Sequence, residues 1–327
     1  MIENIRFRNR LVTLTVVFLL AVSIARADGL PHVGRPAIVV AGDTFSLGDG
    51  AEATASLRLG DTRIPLTVTT NDKTAPEGKW LAEVPDGVAP GRYDLVLTTS
   101  AAETEQIGAV HVLESFPTSY VLALLRADQV DSTEGTMFSP ALLDILRGAT
   151  PNLVIVLGAL TADGQESAYE ALDRQFAGLD VPVFYCPNEQ ESARETYRAR
   201  YGNPVYPQRF GDDGYLFLGG GLSHVDSIHG VRAGHLYRWR RALRSSRWSI
   251  GVATRYGLDW SMREQLVLFA DDPLDYLLAG EGVETSGAKV PWSNTRLETF
   301  ADALSPSLQL IDVSQEQFVP RIVKVTE

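Results

Sequence analysis

The chain has 327 residues, with 29 lysines and arginines against 41 aspartates and glutamates and a formal net charge of −12. A chain this acidic is a poor nucleic-acid binder, because phosphate contacts need clustered basic side chains. Its single cysteine, Cys186, excludes a disulfide within the chain, and the length suffices for two domains that each bury a core.

Arg6, Arg8 and Arg10 form a basic start, LVTLTVVFLLAVSI follows as an apolar stretch, and Ala25-Arg26-Ala27 supplies small residues at a cleavage site. This predicts a Sec-type signal peptide over 1–27, a mature chain from Asp28, and a periplasmic or secreted protein. The apolar stretch is shorter than the roughly 20 residues that span a bilayer, so no stable membrane anchor is expected after cleavage. Loss of Arg6, Arg8, Arg10, Arg26 and Glu3 leaves 25 basic against 40 acidic residues, a net charge near −15.

From about Gly34 to Glu114 the apolar residues fall in short runs, AIVV, ATASLRL, TRIPLTV, KWLAEVP, RYDLVLTT and AVHVL, separated by GDG, GD, ND and PDG turns. That is the pattern of an antiparallel β-sandwich. In PDGVAPGRYDLVL, Tyr93 stands near the start of a late strand, either as the corner tyrosine of an immunoglobulin-like domain or as an ordinary strand residue. The expectation for 28–116 is an all-β immunoglobulin-like sandwich.

After Phe116-Pro117 strands alternate with helices. YVLALL, NLVIVLG, PVFYC, YLFLGG, WSIGVAT and DYLLAGE read as strands. One helix is expected from Ser139-Pro140 to Gly148, capped by Ser139, and another over about Ser167 to Phe176. Residues 117–327 are therefore expected to form an α/β (α+β) domain with its site at the strand ends.

From Tyr120 to about Gly282 the segments resemble the calcineurin-like metallophosphoesterases in order and spacing. YVLALLRADQV stands in the place of that family's D-x-H strand, LVIVLGALTADG in that of G-D-x-x-D-D-G, and PVFYCPNEQE in that of the P-G-N-H-D loop. SIGVATRYG is similar to the strand ending in a liganding histidine, and DYLLAGEGV to the one ending in G-H-x-H. The resemblance implies a β-sandwich flanked by helices, a phosphoesterase site and two metal ions. An immunoglobulin-like domain before such a module is a known arrangement.

The ligands implied by the resemblance are mostly replaced. Asp128 matches the first aspartate, but Val130 stands at the histidine and Ala159 at the aspartate that bridges both metals. Glu189 takes the asparagine position, Gln190 the catalytic histidine position and Thr254 the next histidine, while Glu281 and Val283 take the last pair. Two ions have little reason to sit close together without the bridging carboxylate, and valine coordinates nothing.

A second reading keeps one divalent cation, Ca²⁺, Mg²⁺ or Mn²⁺, on Asp128, Glu189 and Glu281, with Asp131 and Asp163 near. His224, Asp226, His229 and His235 gather in a segment that reads as a loop before a helix, without a zinc spacing. Cys186 reads as a core residue, and Gly219-Gly220-Gly221 as a turn. Arg126 and Arg255 flank the vacated site as anion receivers or as partners of neighbouring acids. The leading reading is a non-catalytic binding or scaffold protein, with no cofactor and with a protein or small molecule as partner. One alternative is a phosphoesterase with a rebuilt carboxylate site. The other is a carbohydrate-binding or adhesin-like protein with a groove lined by Trp80 and Tyr93.

Overall fold

The computed structural model describes residues 30–48, 53–70, 80–100, 102–127, 138–219, 229–256, 262–270, 272–282, 288–290, 293–299 and 307–324. The expected signal peptide lies outside them. No helix among the described residues is long and apolar enough to cross a membrane.

Eight strands come first: β1 (Ala37–Val40), β2 (Thr44–Ser46), β3 (Thr54–Leu59), β4 (Thr62–Pro65), β5 (Thr67–Thr70), β6 (Trp80–Glu83), β7 (Gly91–Thr98) and β8 (Glu103–Leu113). They form a five-stranded sheet, β1-β8-β7-β3-β4, and a three-stranded sheet, β2-β6-β5. Alternation along β7 turns Tyr93, Leu95 and Leu97 inward, where they meet Leu57, Val110 and, from the other sheet, Phe45 and Ala82. One pair departs from the antiparallel expectation, since β1 runs parallel to β8. Tyr93 is buried and its hydroxyl donates to the Ala89 carbonyl at 2.8 Å, the bond that a tyrosine corner makes. Tyr93 is thus enclosed in the core and cannot line the groove expected with Trp80.

The rest of the chain builds two further sheets. β9 (Tyr120–Arg126), β10 (Leu153–Gly158) and β11 (Val183–Pro187) are parallel, and β18 (Ser307–Val313) and β19 (Phe318–Lys324) extend them in the order β11-β10-β9-β18-β19. The facing sheet runs β12-β13-β14-β15-β17-β16. Its strands are β12 (Tyr206–Phe210), β13 (Asp213–Phe217), β14 (Ser249–Tyr256), β15 (Tyr276–Gly282), β16 (Ala288–Lys289) and β17 (Arg296–Thr299).

Leu122, Leu124, Ile155 and Phe184 of one sheet pack on Phe217, Ile250, Val252 and Leu278 of the other. Each such buried side chain contributes roughly 1.5–3 kcal/mol relative to exposure. Helices cover both outer faces. α1 (Pro140–Ala149) and α2 (Glu166–Ala177) lay Leu142, Leu146, Leu172 and Phe176 on the first sheet. α5 (His229–Ala242) and α6 (Met262–Phe269) lay Leu236 and Leu268 on the second. Two short helices, α3 (Glu189–Ala193) and α4 (Glu195–Tyr201), follow β11. This mixed α/β sandwich with helices outside is consistent with the fold that the resemblance implied.

Several local expectations are corrected. Ser139 caps α1 by accepting from the Leu142 N–H, but the helix runs past Gly148 and ends at Thr150, whose φ is 45°. α5 begins at His229, so His229 and His235 are helical, not part of a loop. The segment after Gly282, for which no strands were expected, supplies β18, which pairs with β9 near the centre of its sheet.

The stretch before β1 also reaches the second sandwich, while Leu30 packs on the core of the first. Gly34 bridges to Phe184, and its carbonyl accepts from the Tyr185 N–H at 2.8 Å. A Cβ at Gly34 would lie 2.2 Å from the Tyr185 ring and its φ is +93°, so only glycine fits. His32 is buried beside it, with Nδ1 2.5 Å from the Val33 carbonyl and Nε2 3.1 Å from that of Tyr201.

At the end of the sandwich where β9, β13 and β14 begin, Asp213 is wholly buried and accepts from Arg247 Nε at 2.9 Å and Nη2 at 2.6 Å. The Tyr120 hydroxyl donates to the same carboxylate at 2.8 Å, joining the two sheets.

Two outcomes follow from these buried polar groups. Asp213→Ala strands a guanidinium and is expected to cost roughly 3–5 kcal/mol in urea unfolding. Burial lowers the His32 pKa to about 4 and that of His111 to about 3, the latter with help from Arg92. The unfolded imidazoles protonate near pH 6.5 while the folded ones stay neutral, so stability falls as pH drops from 6.5 toward 4. For His32 the loss is on the order of 3 kcal/mol. His32→Gln should flatten that part of the profile, and an unchanged slope would contradict it.

Candidate functional site

Five strand ends meet at the opposite rim. Leu157 of β10 lies across from Arg126 of β9, and Gly158 across from Pro187 of β11. In the facing sheet Arg255 of β14 lies across from Glu281 of β15. The two sheets touch here: Arg126 Nη1 donates to the Gly280 carbonyl at 3.4 Å, and Cys186 Sγ lies 3.5 Å from that of Val252. A Cβ on Gly280 would stand 2.7 Å from the Thr254 carbonyl oxygen and 3.7 Å from Leu157 Cβ.

Several positions singled out in the sequence lie on this rim. Ala159 follows β10 and is half-buried, and Thr254 is buried within β14. Glu189 and Gln190 open α3, the first half-buried and the second exposed. Glu281 is in β15, where only its backbone is described. Asp128, Val130, Asp131, His224, Asp226, Gly220, Gly221 and Val283 lie outside the described residues. Among the described residues no three His, Cys, Asp or Glu side chains group as metal ligands. Asp128 and the Glu281 side chain stand outside that statement.

The other candidates have local roles. The Asp163 carboxylate is exposed and accepts from the Gln165 N–H at 3.0 Å. Cys186 is fully buried in β11, and burial pushes its thiol up to about 12, so it holds no thiolate near neutral pH. Gly219, with φ +57°, packs against Pro204.

The strongest polar arrangement at the rim is one that the sequence reading missed. Glu191 of α3 is only 1% exposed. Its Oε1 accepts from the Thr161 hydroxyl at 2.7 Å and from the Tyr169 hydroxyl, and its Oε2 from Arg194 Nη1 at 3.1 Å. Arg194 Nη1 also reaches Thr161 Oγ1 at 3.0 Å, and the same oxygen accepts from the Gly164 N–H at 3.0 Å. Thr161 and Gly164 belong to the loop after β10, Glu191 and Arg194 to the segment after β11. One buried carboxylate therefore fastens the two adjacent loops.

The local sequence explains why this carboxylate points inward. Asn188 caps α3, its side chain accepting from the Glu191 N–H at 2.8 Å. In a capping box the glutamate at the third helical position reaches back to the cap N–H. Here the Asn188 N–H is already given to the Gly158 carbonyl at 2.8 Å. The Glu191 side chain is left for Thr161, Tyr169 and Arg194. Asn-x-x-Glu at the end of a buried strand was the available signal.

Chemically this is a densely hydrogen-bonded arrangement. Burial, then the bond to Glu191, raises the Tyr169 hydroxyl to about 12, so it remains a donor at neutral pH. Three donors take up most of the carboxylate's acceptor capacity, and at 1% exposure Glu191 is closed off from solvent, so its geometry is that of a structural link.

No family model matches the chain, and no curated protein matches it. Among solved structures it is similar to a purple acid phosphatase from yellow lupin (Lupinus luteus) seeds, at 10% identity over 86% of this chain and 69% of that one, with a TM-score of 0.46. It is also similar to GAP50, the anchor in the inner membrane complex of Plasmodium, at 10% identity over 64% of this chain and 86% of that one, TM-score 0.43. Vps29 from Entamoeba histolytica, complexed with Zn²⁺, matches at 11% identity over 63% of this chain and 99% of that one, TM-score 0.30. The phosphatase and Vps29 are calcineurin-like metallophosphoesterases. At such identities and scores no residue role passes from them to this chain.

If the Glu191 network fastens the two loops, Glu191→Ala should cost roughly 3–5 kcal/mol by leaving Arg194 facing a buried gap. Glu191→Gln, which keeps the volume but not the charge, should cost roughly 1–3 kcal/mol. Chemical denaturation measures both, and a neutral Glu191→Ala would contradict the role.

Proposed function

We propose that the chain is a periplasmic or secreted metallophosphoesterase-like protein that has no dinuclear centre and serves as a non-catalytic binding or scaffold protein. Residues 28–116 form an immunoglobulin-like domain and 117–327 the phosphoesterase-like one. The two-sheet packing and the Tyr93 to Ala89 hydrogen bond support the first assignment.

The observation that carries the reading is the Glu191 network. In a dinuclear phosphoesterase the ions themselves link the loops, neutralise the phosphoryl oxygens and generate hydroxide. Here protein groups link the loops after β10 and β11, and Ala159 supplies no bridging carboxylate. Gln190, exposed on the first turn of α3, can donate a hydrogen bond but cannot deliver a proton near neutral pH. Loss of general-acid help forfeits roughly 10²–10⁴ in rate, and loss of metal-bound hydroxide removes the nucleophile.

Purified protein is expected to carry no stoichiometric Zn, Fe or Mn and to hydrolyse no phosphomonoester or phosphodiester above background with Mn²⁺, Mg²⁺ or Ca²⁺ supplied. Glu281→Ala should change neither result. Turnover that this substitution abolishes would overturn the proposal in favour of a single cation on Asp128, Glu189 and Glu281.

A further inference from the structure

The eleven-residue strand β8 is paired along one flank only in part. β7 accompanies it from Glu103 to Val112, whereas β1 reaches only Val110–Leu113. Before β1 the chain turns away to bridge β11 at Gly34, and its departure leaves the outer edge of residues 103–109 without a strand neighbour among the described residues. That edge opens on a cleft of about 590 Å³ between the two sandwiches. Thr104, Glu105, Gln106 and Ile107 form one wall, α2 and α4 form the other, and Leu30, His32 and Val33 also line the cleft, Val33 lying against Gly108.

Free strand edges are normally guarded by lysine, proline or unpaired charge. Residues 103–107 contain neither lysine nor proline, and both of their acids are already paired, Glu103 with Arg63 and Glu105 with Arg58. A bulge closes the stretch: Tyr93 pairs with Val110 and Leu95 with Gln106, so Ile107, Gly108 and Ala109 stand opposite Asp94 alone. Gly108 donates its N–H to Asp94 Oδ1 at 2.7 Å, and Ile107 is left 59% exposed at the cleft. Bulges re-aim side chains next to binding sites in this way.

We propose that the cleft binds an extended polypeptide segment of low net charge, which adds as a strand to β8 over residues 103–107 and sets an apolar side chain against Ile107. The repeating N–H and C=O groups of the edge match a main chain at about 3.3 Å per residue, a spacing that a compact small molecule does not reproduce. Both signs of charge line the opposite wall, with Glu170 and Arg174 one turn apart on α2 and Asp173 bound to Arg200 at 2.7 Å, which disfavours strongly charged segments. The cleft shares no residue with the rim of Ala159, Glu189 and Thr254. The inference names the partner class for a binding protein, yet it stands or falls apart from the metal content of that rim.

The test pans random peptides displayed on phage against the purified 327-residue chain, then measures the enriched peptides by titration. Enriched peptides should alternate polar and apolar residues. Their binding should weaken roughly tenfold or more when alternate backbone amides are N-methylated, and equally on Ala199→Trp, which fills the exposed α4 wall. Ile107→Glu, at an exposed position that leaves the core untouched, should do the same. No enrichment, equal binding by N-methylated peptides, or binding indifferent to both substitutions would overturn the proposal.

Discussion

A carboxylate enclosed as fully as that of Glu191 must have its charge and lone pairs answered within the protein, because burying an unpaired ion costs several kcal/mol. Thr161, Tyr169 and Arg194 answer them, and in doing so they settle where two loops run. The loop after β10 cannot move away from α3 without exposing this centre. Glu189 and Gln190 begin the helix that Glu191 anchors, and Ala159 begins the loop that Thr161 anchors. The rim where these loops meet is thereby held in shape by protein groups.

The two ends of the second sandwich use the same device for different purposes. At one end Asp213, Arg247 and Tyr120 join the sheets where strands begin. At the other end Glu191 joins loops where strands finish. Between them lies a core in which β10, buried along its whole length, is covered by a sheet on one face and helices on the other. Parallel strands covered on both faces read as continuous apolar runs, and LVIVLG is such a run.

What could be read from the sequence follows from the range of the forces involved. The strand and helix order of residues 120–282, the Ser139 cap and the burial of Cys186 are local or periodic signals, and the structure contains them. The inclusion of β18 beside β9 depends on contacts between residues nearly two hundred positions apart, which no local pattern announces. The same holds for Gly34, which looks like the start of a sandwich but pairs with β11. At the rim, spacing alone singled out Ala159 and Thr254 as strand-end positions, and both lie there. Glu191 was passed over because it stands among other acids, and only the fold brings Tyr169 and Arg194 to it.

The central claim is that protein groups, in place of metal ions, hold the rim together. Thermal unfolding with EDTA, and separately with millimolar Mn²⁺ or Zn²⁺, tests it most directly, because a cation held at a hundredfold excess over its dissociation constant adds about 2.7 kcal/mol to the folded state. The account predicts the same midpoint in all three conditions for the wild-type chain and a lower midpoint, equally insensitive to metal, for Glu191→Gln. A midpoint that falls in EDTA and rises by several degrees with Mn²⁺ or Zn²⁺ would contradict it.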